Sequence, residues 1–488
     1  MNLQDLLYRV SVQTIHNSTD LNVTSIQFDS RKVAMGSVFV ATRGTQTDGH
    51  LFIQKAIEQG AIAIVCEDLP ETLQENITYI QTPDSAEALG IMASNFFGNP
   101  SEKLKLVGVT GTNGKTTNVT LLYKLFKGLA YRVGMLSTVE NYIDEAVLPA
   151  THTTPDALSL NELLAKMVQA GCQYAFMEAS SHAIVQRRIA GLHFAGAVFT
   201  NISHDHLDFH KTFENYIKAK KKLFDDLPKT AFALSNFDDK RGSVMLQNTK
   251  ARKYSFALKN PADFKGKILN NTLQGLEMDF DGRQVWCKLT GKFNAYNLLG
   301  VYATALLLGE EAERILLVLS SLSAARGRFE QIVDSKHRIG IVDYAHTPDA
   351  LENVLKTIQE LRQQHQKVIT IVGAGGNRDA TKRPIMAEIA CKYSDIVLLT
   401  SDNPRYEEPL KILEEMYQGV PITQRKKVQI IENRREAIAT ACQIAQTEDI
   451  ILLAGKGHET YQEIQGIKYD FDDLKILSEL MQQHIKTS

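Results

Sequence analysis

One stretch constrains this chain more than any other: Val107-Gly108-Val109-Thr110-Gly111-Thr112-Asn113-Gly114-Lys115-Thr116-Thr117. It follows an apolar run, Leu104 to Val109, that reads as a buried strand. It opens a helical pattern from Lys115 to about Leu129. Glycines let backbone N–H groups approach an anion, and a helix N-terminus favours negative charge. Lys115 can reach outer phosphates, and Thr116 offers a hydroxyl to Mg²⁺. The spacing departs from the usual GxxxxGK[ST] loop, because its first glycine falls at Val109 and Gly108 stands one residue early. Strand, loop, Lys-Thr-Thr and helix together indicate a nucleoside-triphosphate site rather than a glycine turn with an exposed lysine.

A loop of this kind belongs on a parallel sheet, and the remaining pattern agrees. Short strands are expected at Ser37–Ala41 and Ala61–Cys66, with a helix near Ile53–Gln59. Further buried strands are expected at Tyr174–Met177, Ala197–Thr200, Ile339–Asp343, Val368–Val372, Ile396–Thr400, Val428–Ile431 and Ile450–Ala454. Strict alternation around Asp281-Gly282, from Leu276 to Leu289, predicts a hairpin. Strands alternating with helices imply α/β architecture with ligands at the strand C-terminal ends. The 488 residues predict about three domains, at roughly 150 residues each. Turn-rich Gly98-Asn99-Pro100-Ser101 and Ala325-Arg326-Gly327-Arg328 mark the junctions, giving domains 1–99, 100–327 and 328–488. The expected fold has a smaller N-terminal α/β domain, a central P-loop parallel-sheet domain and a C-terminal Rossmann-like α/β domain.

Composition narrows the function. Lys+Arg 54 against Asp+Glu 56 gives a net charge of −2, without the basic surplus of a phosphate-tracking nucleic-acid binder. The five cysteines are odd in number, widely spaced and lack a CxxC pair, which argues against a zinc knuckle or disulfide framework and fits a reducing cytoplasm. The first twenty residues lack the pattern of a signal peptide, and no run approaches the ~18 apolar residues of a membrane span.

Other motifs follow the loop in order. They are Met177-Glu178-Ala179-Ser180-Ser181-His182, Asn201-Ile202-Ser203-His204-Asp205-His206-Leu207-Asp208, and Tyr216 to Leu223 (YIKAKKKL). Gly291-Lys292-Phe293-Asn294-Ala295-Tyr296-Asn297, Arg326-Gly327-Arg328-Phe329-Glu330 and Asp343-Tyr344-Ala345-His346-Thr347-Pro348 come next. With GTNGKTT they make a chain that resembles the Mur ligases over essentially its whole length. The likeness is greatest to the branch that adds the third residue to UDP-MurNAc-L-Ala-D-Glu.

The resemblance implies an ATP-dependent amide ligase working through an acyl phosphate, with two Mg²⁺ ions. Gly111, Thr112, Asn113, Gly114, Lys115, Thr116 and Thr117 would bind ATP, joined by Asn294, Asn297, Arg326 and Asp343, with His346 lining the pocket. Lys115, Glu178, His206 and Lys220 would be catalytic, and Thr116, Glu178, His206 and Lys220 metal-binding. By composition alone Lys218, Lys220, Lys221 and Lys222 read as a solvated helix face. The family's YxxAKxxL pattern instead makes Lys220 a carbamylated lysine (N6-carboxylysine). Phe28, Ser30, Thr45, Gln46 and Thr47 match the uridine-diphosphate site, and His152, Thr153, Thr154, Ser180, Gln186 and Arg188 the muramoyl-dipeptide site.

The acceptor end is legible in its chemistry. Gly375-Gly376-Asn377-Arg378-Asp379, Asp402-Asn403-Pro404-Arg405 and Gly455-Lys456-Gly457-His458-Glu459 each follow a predicted strand of one sheet, so they can converge. Two guanidiniums and an acid suit a zwitterion with a further carboxylate. Arg378 and Arg405 would take the carboxylate of meso-diaminopimelate and Glu459 its far ammonium, with Asp402, Asn403, Pro404 and Gly455 completing the site. An arginine facing the ammonium of L-lysine would repel it. Lysine-adding relatives carry DNPA where this chain has DNPR. The bland alternative pairs Arg405 with Glu407 or Glu408. At the level of function the alternatives are an L-lysine-adding enzyme, another Mur or folylpolyglutamate-type ligase, or a P-loop binding module. Expected partners are UDP-MurNAc-L-Ala-D-Glu, meso-diaminopimelate and ATP, with no nucleic acid, and a monomer is expected.

Overall fold

Alternating apolar strands and helices fold into parallel-dominated α/β sheets. The computed structural model describes residues 1–44, 47–150, 152–203, 205 and 207–483, with backbone alone at Leu207, Asp208 and Gln483. The chain divides into two units, residues 1–265 with 296–318, and residues 266–295 with 319–488.

The first unit carries two sheets. The N-terminal sheet runs Thr14–His16, Thr78–Gln81, Ala61–Cys66, Ser37–Val40, Ser25–Gln27, parallel except at Thr14–His16. Its central strands are buried on both faces, which is why they read as unbroken apolar runs. Val38, Val40, Ala63 and Val65 meet the helix Ser85–Phe96, while Phe39, Ile64 and Tyr79 fill the opposite face. That helix, capped by Asp84, reaches the second sheet's loops. Arg187 pairs with Asp84 at 3.0 Å, and Ala157 joins the same apolar cluster.

In the second sheet six parallel strands run in the order Val133–Leu136, Tyr174–Glu178, Lys105–Thr110, Gly196–Phe199, Phe232–Asn236, Arg252–Ala257. The strand Lys105–Thr110 starts one residue later than the apolar run, because Leu104 closes the 3₁₀ turn Pro100–Lys103. It lies between Tyr174–Glu178 and Gly196–Phe199, so the loops after all three strands share one edge.

The second unit contains the hairpin Gly275–Phe280/Arg283–Cys287. Phe280 pairs with Arg283 across a two-residue Asp281-Gly282 turn whose φ values are both positive, as an Asp-Gly hairpin requires. Its six-stranded sheet runs Glu330–Val333, Ile339–Asp343, Ile450–Ala454, Val368–Val372, Ile396–Leu399, Val428–Ile430, parallel except at the first edge. Helices Pro348–Leu361 and Lys382–Tyr393 cover one face, and Arg434–Ile444 and Asp473–Gln483 the other. All five cysteines are buried free thiols. Among the described residues no helix is long and apolar enough to cross a membrane.

Candidate active site

The central strand Lys105–Thr110 delivers the glycine loop to the sheet edge. Gly114 takes φ +87°, and a Cβ there would lie 2.7 Å from Asn297 Oδ1. Glycine alone meets both demands at the entry to the helix Lys115–Gly128. Lys115 Nζ donates to the carbonyl oxygens of Gly111 and Thr112, at 2.9 Å each. The neighbouring strand end braces the loop. Thr112 N donates to Asn201 O at 2.8 Å, Asn113 N to Asn201 Oδ1 at 3.0 Å, and Thr200 Oγ1 to Asn113 O at 2.6 Å. Asn118 Nδ2 donates to Asn297 Oδ1 at 2.8 Å, bringing Asn297 against the first turn of the helix.

Glu178 ends its strand opposite Val109 and is 1% exposed. Its Oε1 accepts from Thr116 Oγ1 at 2.9 Å and from Thr138 N at 2.8 Å. A buried carboxylate beside a threonine hydroxyl is the hard-oxygen chemistry that suits Mg²⁺. Among the described residues no group of three or more His, Cys, Asp or Glu could hold a metal ion, so this pair would need further oxygen donors. His206 lies outside the described residues.

The helix Phe213–Asp225 sorts its lysines by face. Exposed Lys218 and half-buried Lys222 pair with Glu214 and Asp226, and buried Lys221 pairs with Asp225. Lys220 departs furthest from the solvated-face reading, because it is 1% exposed against 9% for Lys221. Its Nζ donates to Gly111 O at 2.8 Å and lies 4.6 Å from the centre of the Tyr216 ring. Burial drives its pKa well below the usual lysine range, the Lys115 ammonium adds to that, and Asp205 opposes it. The amine is therefore held toward its neutral, nucleophilic form.

Next to Glu178 the dipeptide candidates meet. Thr154 Oγ1 donates to Glu178 O at 2.8 Å and accepts from Ser180 N at 3.2 Å, and Ser180 caps the short helix Ser181–Val185. Arg188 donates to Thr154 O at 2.8 Å and to Gln186 Oε1 at 2.9 Å, and burial lowers its pKa. Thr153 Oγ1 accepts from Thr138 Oγ1 at 3.1 Å, while His152 is exposed. Phe28 and Ser30, the latter opening the 3₁₀ turn Ser30–Lys32, follow the strand Ser25–Gln27, and Thr47 lies on the loop after the adjacent strand Ser37–Val40. Thr45 and Gln46 lie outside the described residues. The loop holding Thr47 is tied by Arg43, which pairs with Glu67 at 3.0 Å.

In the second unit the three acceptor loops follow the adjacent strands Ile450–Ala454, Val368–Val372 and Ile396–Leu399, and they interlock. Gly376 N donates to Asn403 O at 2.9 Å, and Arg405 Nη1 to Gly376 O at 2.8 Å. Asn403 Nδ2 donates to Glu459 Oε2 at 2.8 Å. A Cβ on Gly455 would lie 2.6 Å from Asp402 Oδ2. Burial and the nearby Asp402 carboxylate raise the pKa of Glu459, against the pull of Lys456. Arg405 pairs with Glu463 at 3.5 Å, not with Glu407 or Glu408. Glu407 instead shares the buried Arg383 with Glu415. Arg378 is exposed.

The other nucleotide-side candidates differ in placement. Asp343 is buried, its Oδ2 accepts from Phe329 N at 2.6 Å, and burial pushes its pKa up to about 6. Its carboxyl is thus already engaged by the main chain. Arg326 pairs with Asp472 at 2.6 Å, Asn294 Nδ2 donates to Thr290 O at 2.8 Å, and His346 is exposed.

Three residues of the second unit were missed as site residues by sequence reasoning. Lys456, 0% exposed, donates to Asn403 Oδ1 at 3.1 Å and Glu459 Oε2 at 3.2 Å, and its position inside GKGHE was the available signal. Arg383 and Glu463 carried no local signal.

Three family models match the chain: "Mur ligase family, catalytic domain" over residues 22–97, "Mur ligase middle domain" over 109–305 and "Mur ligase, glutamate ligase domain" over 327–457. The UDP-N-acetylmuramoyl-L-alanyl-D-glutamate–2,6-diaminopimelate ligase of Cytophaga hutchinsonii is 62% identical over 482 residues, 99% of each chain. A solved structure titled as a ligase of the same name superposes with a TM-score of 0.71 at 32% identity, covering 99% of each chain. The MurF ligase of Thermotoga maritima, solved in complex with ADP, is 19% identical with a TM-score of 0.60, covers 95% of this chain and 98% of its own, and shares the fold.

Proposed function

The chain belongs to the Mur ligase family, and from that premise we propose that it joins meso-2,6-diaminopimelate to the D-Glu of UDP-MurNAc-L-Ala-D-Glu at the expense of ATP. The observation that carries the acceptor assignment is the interlocked platform of Asp402, Asn403, Arg405 and Glu459. It offers a guanidinium and a carboxylate within one bonded network.

In the proposed reaction a carboxylate oxygen of the peptide attacks the γ-phosphorus of ATP, and ADP leaves. The acceptor's amine then adds to the acyl phosphate, and phosphate departs from the tetrahedral intermediate as the nitrogen loses its proton. Both steps crowd anionic oxygens, so cationic and N–H donors must be fixed where charge accumulates. Gly111 to Thr117 would cradle the phosphates, with Lys115 moving from loop carbonyls to phosphate oxygens. Thr116 and Glu178, with His206 and carbamylated Lys220, would hold Mg²⁺, which supplies charge neutralisation at the phosphates. A neutral Lys220 amine adds CO₂ to give a carbamate and a proton, and burial favours the amine. Arg188, Thr154, Ser180, Gln186, Thr153 and His152 would orient the dipeptide, and Phe28, Ser30, Thr45, Gln46 and Thr47 the uridine diphosphate. Asn294, Asn297, Arg326 and Asp343 would complete the nucleotide side. Residues 1–99, 100–327 and 328–488 would serve the UDP-sugar, ATP and acceptor respectively. We place the enzyme in the cytoplasm as a monomer.

The test is ADP release with UDP-MurNAc-L-Ala-D-Glu and either meso-diaminopimelate or L-lysine in one assay. A site built to bond a distal carboxylate rejects an acceptor lacking it, so kcat/KM should differ by on the order of 10²-fold. Equal turnover with the two amino acids would refute the acceptor assignment.

A further inference from the structure

Arg405 takes φ +52°, a left-handed conformation that L side chains rarely adopt. Something outside its own loop must hold it there, and the structure supplies a small hairpin. The strands Tyr461–Ile464 and Ile467–Asp470 form a separate two-stranded sheet. They are joined by Gln465 and Gly466, with φ +50° and +76°, and Ile464 pairs with Ile467 across this turn. A Cβ on Gly466 would lie 2.6 Å from the Tyr406 hydroxyl oxygen, so the turn fits closely against the residue after Arg405.

Four hydrogen bonds join this hairpin to the Asp402–Arg405 loop. Arg405 N donates to Glu463 O at 3.0 Å, and Gln465 N donates to Arg405 O at 2.6 Å. Glu463 N donates to Asn403 Oδ1 at 2.9 Å, and Gln462 Nε2 donates to Asp402 O at 2.7 Å. The backbone of Arg405 is thus held on both sides. Its side chain is held as well, with Nη1 on Gly376 O at 2.8 Å and Nε 3.5 Å from Glu463 Oε2. These two contacts hold the guanidinium at Nη1 and at Nε.

We propose that Glu463 is a positioning residue for acceptor specificity, its carboxylate orienting the Arg405 guanidinium to meet the distal carboxylate of the incoming amino acid. This rests on the reading of Arg405 as an acceptor-binding residue. The hairpin's main chain fixes where Arg405 stands, and the Glu463 side chain fixes which edge of its fork is presented. A carboxylate beside a carboxylate-binding arginine would otherwise only compete with the ligand.

The experiment compares steady-state kinetics of the full chain carrying Glu463→Ala, Glu463→Gln, Arg405→Ala and the double alanine variant, with meso-diaminopimelate as the varied substrate. The expected result for Glu463→Ala is a KM for diaminopimelate raised about three- to fivefold, the scale of a partly exposed ion pair, with kcat and the KM for ATP unchanged. Glu463→Gln, which keeps an acceptor oxygen, should fall between wild type and alanine. In the Arg405→Ala background, Glu463→Ala should add nothing, because its effect passes through Arg405. An unchanged or lowered KM in Glu463→Ala, with a raised KM in Arg405→Ala, would overturn the positioning role alone. Additive losses in the double variant would do the same. No change in Arg405→Ala would overturn the acceptor reading and this proposal with it. Thermal unfolding of each variant identifies any that fail to fold, and the glutamine variant then carries the test.

Discussion

Among the described residues, one lysine in each unit is buried to 1% exposure or less, and the two are held in opposite ways. Lys220 is 1% exposed and Lys456 0%. Lys220 donates to a carbonyl oxygen, that of Gly111, and faces the Tyr216 ring. Lys456 donates to a carboxylate, that of Glu459, and to the Asn403 amide oxygen. Burial drives the Lys220 pKa down, the nearby Lys115 ammonium pushes the same way, and Asp205 opposes them. A buried lysine that donates to a carboxylate acts as a cross-link. One that meets a carbonyl and another cation is held toward a free amine, which is the form that reacts. The two buried amines differ in what they donate to, a carboxylate at Lys456 and a main-chain carbonyl at Lys220.

The largest effect should come from removing the reactive member. Lys220→Ala deletes the amine on which the proposed carbamate forms, and ADP release should fall by at least about 10²-fold, the scale of losing one fixed group that stabilises transition-state charge. Acetate or formate in the assay should restore part of the rate by supplying carboxylate oxygens to the cavity. Full activity in the alanine variant would break the comparison at once, since Lys220 would then be as architectural as Lys456.

The contrast also explains what sequence could reveal. The strand, glycine loop and helix start around Lys115 are local, and so is the Asp281-Gly282 turn, because each depends on a few neighbouring dihedrals. The acceptor loops were legible for a similar reason, since adjacent parallel strands place their C-terminal loops side by side. Lys220 looked solvated without the family pattern because its burial depends on Gly111, 109 residues away. The alternative that paired Arg405 with Glu407 or Glu408 fails because those acids are adjacent only in sequence. Glu407 is drawn to Arg383, and Glu463 arrives on the hairpin. Ion-pair choice follows tertiary approach, which short-range spacing does not encode. His206, Thr45 and Gln46 fall outside the described residues, so their part in the candidate site rests on sequence alone.

The architectural member should show itself in stability. Lys456→Met leaves Glu459 without its ammonium beside Asp402, and breaking a buried pair from one side costs about 3 kcal/mol or more. The chain's one tryptophan, Trp286, belongs to the same unit as Lys456, so urea unfolding followed by its fluorescence reads the change. Adding Glu459→Gln should recover part of the loss. If Lys456→Met is neutral, the pair is dispensable and the contrast with Lys220 fails from the other side.

The smallest effect probes the cationic surroundings of Lys456. His458 Nδ1 is buried without a hydrogen-bond partner, and the ring packs against Tyr344 with centroids 4.8 Å apart. Burial lowers the His458 pKa to about 3, reinforced by Arg328, Arg326, His346 and Lys456. A folded-state pKa below the ordinary histidine value of 6.5 means that the unfolded chain binds the proton more readily. The stability that depends on neutral His458 is therefore complete above pH 6.5 and is lost progressively as pH falls toward 3. Between pH 6.5 and pH 5 the loss should be about 2 kcal/mol if the imidazole stays neutral in the folded protein throughout. His458→Gln, which cannot take up a proton, should remove that part of the slope while leaving the rest of the acid sensitivity in place. The same Trp286 signal, followed in wild type and variant at both pH values, isolates the difference. Equal slopes in the two proteins would mean that His458 protonates in the folded state without penalty.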